Sequence, residues 1–396
     1  MLDFGWYVAV PLATRMLRDY GAEVIRVETA LRVDAVRTGV PSPPGVSGVN
    51  AGMNWNNINN GKSSITLNLA HQDGRELALR LVQLADVVME NYMPGVMDRY
   101  GLSYETLRRA QPDIIMLRAP MTGLTGPWSG WRAMGLGIQH ISGIGYFSGY
   151  PDLPPGPIPF SFPDYCCNPY HAITAVMAAL RYRRMTGKGQ LIELAQYEST
   201  ANFLGPAALD YSIHGRIQER QGNDSPYYAP HGVFPCAGDD RWIAIVVTDE
   251  ESWRALCRVM GRGDWLSRKD LDSAPERLAR KDDLHREIAA WTQSQEARAL
   301  MDALQRAGVP AGVVQSGKDV VEEDPQLRAR GYYEKVRHPV TGEHLYDTRS
   351  AILSKTPGRI QGHAPLLGQD NDVVYQHLLG LSEDQVNEYI LNGALA

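Results

Sequence analysis

Long apolar runs are missing from this chain. The longest uninterrupted ones are short, such as Trp242–Val247, against the ~20 residues needed to cross a bilayer, so no membrane association is expected. No basic segment precedes the first apolar stretch, MLDFGWYVAV, which argues against a signal peptide. Cysteine is scarce: Cys166, Cys167, Cys236 and Cys257 are the four present. They form no CxxC pair and have no histidine at zinc-finger spacing, so neither a metal site nor a disulfide framework is expected. Reduced thiols in a cytoplasmic protein are the expectation. A basic surplus is also lacking. With 39 Lys and Arg against 45 Asp and Glu, the net charge is −6, which weighs against a nucleic-acid partner. Any anionic ligand has to be met by a local pocket rather than by a global field. GxxxxGK[ST], GxSxG and HExxH are all absent, which disfavours P-loop NTPases, nucleophile-elbow hydrolases and zincins. Gly143, Gly145 and Gly149 have the wrong spacing for a dinucleotide fingerprint and lie among prolines and aromatics.

What is present is ordinary for a folded protein: 44% hydrophobic and 21% charged residues over 396 positions. That length allows two or three domains of roughly 100–200 residues. The first third alternates strand and helix patterns. Leu2–Phe4, Glu23–Val27, Ser64–Leu69, Asp86–Glu90 and Ile114–Arg118 read as strands. Leu12–Tyr20 and Asp73–Leu84 carry apolar residues at helical spacing. Arg37–Gly61, rich in Gly, Pro and Asn, reads as a long functional loop. Such alternation implies βαβ units and an open, doubly wound parallel sheet, with ligands bound beyond the C-terminal strand ends. Gly143–Pro163 has too many prolines for a helix or a central strand. It reads as a loop delivering Asp164 to a helix over about Pro169–Arg184, stopped by Gly187-Lys188-Gly189. A smaller α/β unit follows, with strands at Arg241–Val247 and Val309–Gln315 around helices at Glu250–Met260 and Asp283–Arg306.

Several segments occur in a fixed order: GAEVIRVE (Gly21–Glu28), NGKSSITLNL (Asn60–Leu69), ADVVMENYMPGVMDRYGLSYETL (Ala85–Leu107), PDII then GLTGPWSG (Pro112–Gly130), QHISG (Gln139–Gly143), FPDYCCNPYHAITAVMAALRYRRMTGKGQ (Phe162–Gln190), GVPAGVVQ (Gly308–Gln315), DPQLRARGYY (Asp324–Tyr333) and APLLGQDND (Ala364–Asp372). Together they closely resemble the class III CoA-transferases, the carnitine/bile-acid CoA-transferase family that includes formyl-CoA transferases. The resemblance runs over nearly the whole chain.

The resemblance implies a nucleophilic carboxylate at Asp164, ahead of the helix that ends in R-x-x-TG-x-GQ. An Asp in that place could otherwise be a helix N-cap. The family's chemistry would move CoA from an acyl-CoA donor, plausibly succinyl-CoA, to a carboxylic acid through a mixed anhydride and an aspartyl-CoA thioester. No permanently bound cofactor is implied, since CoA is itself a substrate. Gln139 and the loop Ser225–His231 are candidates for groups near the reacting carbonyls. Lys62, Arg99 and Arg132 match the family's CoA-binding cations. Thr29 stands where the formyl-CoA branch has Arg, so Arg37 or Arg32 could take over that contact. Val8 replaces a Gln of that branch, and Tyr227, Tyr228 and His231 lie in the stretch that replaces its glycine-rich lid. These bulkier residues imply a larger dicarboxylic, branched or aromatic acceptor.

The implied fold is α/β. A large Rossmann-like domain would be formed by 1–215 and the returning segment 342–396, with a lid linker at 216–230, a small α/β domain at 231–316 and a second linker at 317–341. Two chains, homodimeric or heteromeric with a related subunit, would interlock. Acyl-CoA racemases share the fold, but the histidine they use as an acid/base aligns with Met134, and His140 lies six residues further on. A methionine cannot exchange protons.

Overall fold

The computed structural model describes all 396 residues. The chain divides into two compact units. The first comprises 1–146, 157–218 and 326–396; the second comprises 147–156 and 219–325. The boundaries therefore depart from those expected. Phe147–Gly156 and the 219–230 stretch group with the second unit, and 326–341 groups with the first.

The first unit is built on six parallel strands: β1 (Leu2–Asp3), β2 (Ile25–Glu28), β3 (Ser63–Thr66), β4 (Val87–Glu90), β5 (Ile115–Arg118) and β6 (Leu191–Glu193), in the order β3-β2-β1-β4-β5-β6. Strands β4 and β5 are apolar on both faces because helices cover both sides of a parallel sheet. Val88 and Met116 point to one face, packing with Leu77 and Leu81 of the helix Gln72–Gln83 and with Val374, Tyr375, Val386 and Leu395 of the C-terminal tail. Val87, Met89, Ile115 and Leu117 point to the other. There they meet Val10 and Ala13 of the helix Ala9–Asp19 and Ala172, Val176 and Ala179 of the helix Asn168–Thr186. Gly187, at φ +71°, ends that last helix in the left-handed conformation.

The stretch Arg37–Gly61 is not all loop: Met53–Ile58 forms a helix that buries Trp55 and Ile58 completely. The segment expected as a linker ends in the first strand of an antiparallel hairpin, Tyr333–His338 paired with Gly342–Asp347. In the second unit, β7 (His231–Pro235), β8 (Trp242–Val246) and β9 (Ala311–Val313) pair antiparallel. Ile243, Ile245, Trp253, Leu256, Leu284, Ile288, Leu300 and Leu304 form its core. The long helical region expected over Asp283–Arg306 is two helices, Lys281–Thr292 and Ala297–Arg306, the second capped by the Glu296 carboxylate, which accepts from the Arg298 and Ala299 amides.

Beside the C-terminal end of β1 lies a buried cluster of charge. Asp3 Oδ1 accepts from Gly5 N (2.8 Å) and Arg26 (3.0 Å), and its Oδ2 accepts from Thr14 Oγ1 (2.7 Å) and Lys62 Nζ (2.9 Å). Lys62 spends its two remaining donors on Pro11 O and Asn59 Oδ1, both at 2.7 Å. Burial pulls Lys62 down to about 8, while Lys62 and Arg26 hold Asp3 well below the usual carboxylate range. Both are therefore charged at neutral pH. Removing one partner of such a cluster leaves charge buried without compensation, at a cost of about 3–5 kcal/mol. Lys62→Ala is expected to lower the urea midpoint by that equivalent with an unchanged denaturant slope. A midpoint within experimental error of wild type would contradict the internal role given to this lysine.

Candidate active site

The strand order reverses direction between β1 and β4, the place where an open α/β sheet leaves a crevice beyond its C-terminal strand ends. A cavity of about 780 Å³ occupies that place in the first unit. The turns after β1 (Trp6, Tyr7, Val8), β2 (Thr29, Leu31, Arg32), β3 (Leu67–Ala70), β4 (Asn91–Pro94) and β5 (Met121) supply its walls. Asn91 ties the two sides of the switch point together: its Oδ1 accepts from Trp6 N at 2.6 Å and its Nδ2 donates to Trp6 O at 2.9 Å. Tyr7 sits at φ +59°, and its amide donates to Asp34 Oδ2 at 3.1 Å. A non-glycine residue in that region is strained and is held there by its surroundings.

Three acidic side chains line the cavity: Glu28, Asp34 and Asp164. Glu28 is engaged by Arg37, and Asp34 by Arg26 at 2.9 Å. Asp164 alone has no cationic partner. It lies in a π-helical turn, Pro163–Cys167, that leads straight into Asn168–Thr186. It is thus a first-turn residue and not an N-cap. Its neutral partners are the Asn168 amide, which donates to Oδ1 at 3.3 Å, and the Ser161 hydroxyl. Burial raises the Asp164 carboxyl to about 6, against the lowering effect of those two hydrogen bonds. A Cβ at position 135 would collide with Asp164 Oδ2 and with the Ser161 side chain, so only glycine fits there.

Arg32, Arg99 and Arg132 reach the lining from the exposed rim, and no carboxylate of the chain pairs with any of them. Arg32 stacks on Trp6, 4.9 Å from the ring centre. Beside Arg132, Trp131 stacks on Trp128 at 4.7 Å. Such a ring of free arginines suits a polyanionic ligand. No histidine lines the cavity, and Met134 stands in the wall close to Gly135.

The profile of CoA-transferase family III matches residues 1–371. The chain belongs to CoA-transferase family III. The transferase is 32% identical over 387 residues to the succinyl-CoA–D-citramalate CoA-transferase of Chloroflexus aurantiacus, covering 98% of this chain and 94% of that protein. It is equally 32% identical, over 391 residues, to the succinyl-CoA–L-malate CoA-transferase alpha subunit of Chloroflexus aurantiacus, covering 98% and 89%. Among solved structures, a CAIB/BAIF family protein from Brucella suis superposes with a TM-score of 0.86 at 29% identity, covering 95% of this chain and 97% of that one. CoA thioesters are the substrates of such transferases. No helix is long and apolar enough to cross a membrane.

The residues singled out from the sequence fall into three groups. Asp164, Arg99, Arg132 and Val8 line the transferase cavity, as does Arg32, the alternative weighed for Thr29. Lys62, Arg37 and Gln139, expected at the site, do not line it. Lys62 has all three donors satisfied internally. Arg37 is fully buried, paired with Glu28, bonded to Asn50 and Pro365 O, and lies 3.6 Å from the centre of the Trp55 ring. The Gln139 amide clamps the loop before Asp164, donating to Phe160 O and accepting from Ile158 N. Its polar atoms are consumed there and face no ligand. Tyr227, Tyr228 and His231 belong to the second unit. Both tyrosine amides donate to Ser225 Oγ, and His231 Nδ1 bonds Asn223 O. Sequence reading missed Gly135, Asn168 and Gln196. The only signal for the amides was a polar residue on an inward helical face, which carries no chemistry by itself.

A carboxylate must be ionised to attack. With Asp164 at about 6, its ionised form is depleted as pH falls through 6 and predominates above 7. The kcat/KM profile of the transferase is expected to lose activity tenfold per pH unit on an acid limb centred near 6. A limb centred at 4, the ordinary carboxylate value, would show that burial does not set the titration.

Proposed function

We propose that this enzyme moves CoA from succinyl-CoA to a small dicarboxylic acid, with Asp164 as the covalent carrier. The observation that carries the reading is that Asp164 is the one carboxylate on the cavity wall left unpaired by any cation. Ionised and poorly solvated, it is a competent nucleophile toward a thioester carbonyl. Attack gives a mixed anhydride and CoA thiolate. The thiolate then takes the aspartyl carbonyl, and the donor acid leaves. An acceptor acid reverses the sequence. Each step exchanges bonds of similar energy, so the thioester is conserved.

Arg32, Arg99 and Arg132 are the groups for the phosphates of CoA. Succinyl-CoA as donor is supported by the names of the two similar Chloroflexus enzymes. Val8, Ile138 and Met134 give the cavity apolar wall, which suits a carbon skeleton larger than formate or oxalate. Racemisation is not supported, since that chemistry needs a second proton acceptor and the lining has no histidine. Exposed apolar side chains on and around the helix Gly205–His214, including Leu209 (62%) and Ile213 (70%), support assembly with a second copy or a related subunit. Location in the cytoplasm accords with the scarce, free cysteines.

The test is incubation with succinyl-CoA, hydroxylamine trapping and mass spectrometry of the peptide holding Asp164. Wild type should accumulate an adduct there, and Asp164→Ala should form none and lose transfer while remaining folded. Turnover of that variant within tenfold of wild type would refute the carrier. Arg99→Ala and Arg132→Ala should each raise the acyl-CoA KM by ~10–150-fold, corresponding to ~1.5–3 kcal/mol per charge-assisted contact, with little loss of kcat. The lid reading has its own check. Tyr227→Gly/Tyr228→Gly should narrow the preference for succinate or mesaconate over oxalate, and an unchanged acceptor order would remove these tyrosines from the site.

A further inference from the structure

Behind Asp164 runs a line of buried amides whose direction is fixed from one end. Ala119 O, just past β5, can only accept, and Gln196 Nε2 donates to it at 2.7 Å. That turns Gln196 Oε1 toward Asn168, whose Nδ2 donates to it at 2.9 Å. The same Nδ2 has a second hydrogen, and this one reaches Asp164 Oδ1 at 3.3 Å. Asn168 Oδ1 in turn accepts from the Ser199 hydroxyl, whose single hydrogen is shared with Gln196 O. Asn168, Gln196 and Ser199 are 1%, 7% and 3% exposed. A flipped Asn168 amide would face two acceptors with its own oxygen and cost two hydrogen bonds, so its donor is locked onto one particular oxygen of the carboxylate. The other oxygen, Oδ2, is turned toward Gly135 on the cavity lining.

We propose that Asn168 is a catalytic residue, the donor to the oxyanion that forms on Asp164 itself, a role that rests on Asp164 being the covalent carrier. In the mixed anhydride, Oδ2 bridges Asp164 Cγ and the succinyl carbonyl. The sulfur of CoA thiolate forms a bond to Cγ, and the Cγ=Oδ1 π pair moves onto Oδ1. Collapse restores that carbonyl, breaks Cγ–Oδ2 and releases succinate, which carries Oδ2 away. On the return, the acceptor carboxylate adds to Cγ, the negative charge again appears on Oδ1, and the Cγ–S pair leaves with CoA thiolate. No net proton is needed. Both passages place charge on the atom that Asn168 holds, in a buried setting where a preorientated donor is most effective. The side chain of Val8, on the wall of the same cavity, has no donor to offer. Gln196 and Ser199 are positioning residues, acting through Asn168.

The experiment is rapid-quench mass spectrometry of the Asp164–CoA adduct, formed from succinyl-CoA and discharged by succinate, in wild type, Asn168→Ala and Gln196→Leu. In Asn168→Ala both formation and discharge should slow ~100–1,000-fold, the usual effect of losing one oxyanion donor, with the succinyl-CoA KM within threefold of wild type. The acid limb of kcat/KM should move to higher pH, because a hydrogen bond that favours the carboxylate is gone. Gln196→Leu, which frees the amide, should slow both steps about tenfold and supplies the answer should Asn168→Ala fail to fold. An adduct formed and discharged at wild-type rates in Asn168→Ala, or in Gln196→Leu where that is the only folded variant, overturns the role of Asn168 and leaves the carrier intact. Absence of any adduct in wild type overturns the carrier instead.

Discussion

The cavity stands on the carboxylate of Asp3. This group closes a strand of only two residues, at the point where the sheet changes direction. Its two oxygens receive four donors, from Gly5, Thr14, Arg26 and Lys62. Through Arg26 it reaches Asp34, and through Asp34 the amide of Tyr7. The wall that faces the ligand is therefore positioned by buried charge and not by apolar packing alone. Arg37 and Glu28 extend the same arrangement toward Ser64 on β3 and toward Pro365 in the returning segment. An apolar replacement of the whole cluster could match its stability. It could not aim the backbone of Trp6 and Tyr7 in the same way, since that aim depends on directional acceptors.

This arrangement also marks the limit of what the sequence could disclose. The parallel sheet was legible because β4 and β5 are continuous apolar runs flanked by helical patterns, and such runs have few other stable uses. The position of Asp164 just ahead of a long helix was legible from the proline-rich stretch before it and the helical pattern after it. The internal partners of Lys62 and Arg37 were not legible, because a cation in a loop is ordinarily solvated or bound to an anion of the ligand. Nothing in NGKSS says that an aspartate four residues short of Tyr7 will be waiting inside. The available hint was the set of charges interrupting apolar strands, Asp3 in LDF and Arg26 in VIRVE. The helix Met53–Ile58 was hidden for a similar reason. Asn-rich sequence reads as loop, and the segment is helical because Trp55 and Ile58 are drawn into the interior.

The lining of the cavity differs in electrostatic character from one part to another. The arginines on the rim are exposed and unpaired, and they are suited to hold a flexible polyanion. Below them, Asp164 meets only neutral donors, so its charge is not pre-neutralised. Glycine at 135 keeps the approach to its outer oxygen open. A cation placed beside Asp164 would lower its reactivity by stabilising the resting carboxylate.

The course of the chain between the two units has a consequence for recombination. The main chain passes from one unit to the other four times, and the short visit at Phe147–Gly156 comes directly before the turn that carries Asp164. That visit is anchored by Gly222 N to Gly149 O and by Asn223 to the Tyr150 hydroxyl. The second unit is accordingly not a cassette. Cutting out 219–325 would strip the partners from a stretch that ends at Gly156, only eight residues upstream of Asp164. Exchange of the second unit between relatives has to carry the 147–156 stretch with it, so a swap that keeps this unit whole needs paired crossovers on both sides of the segment that holds Asp164.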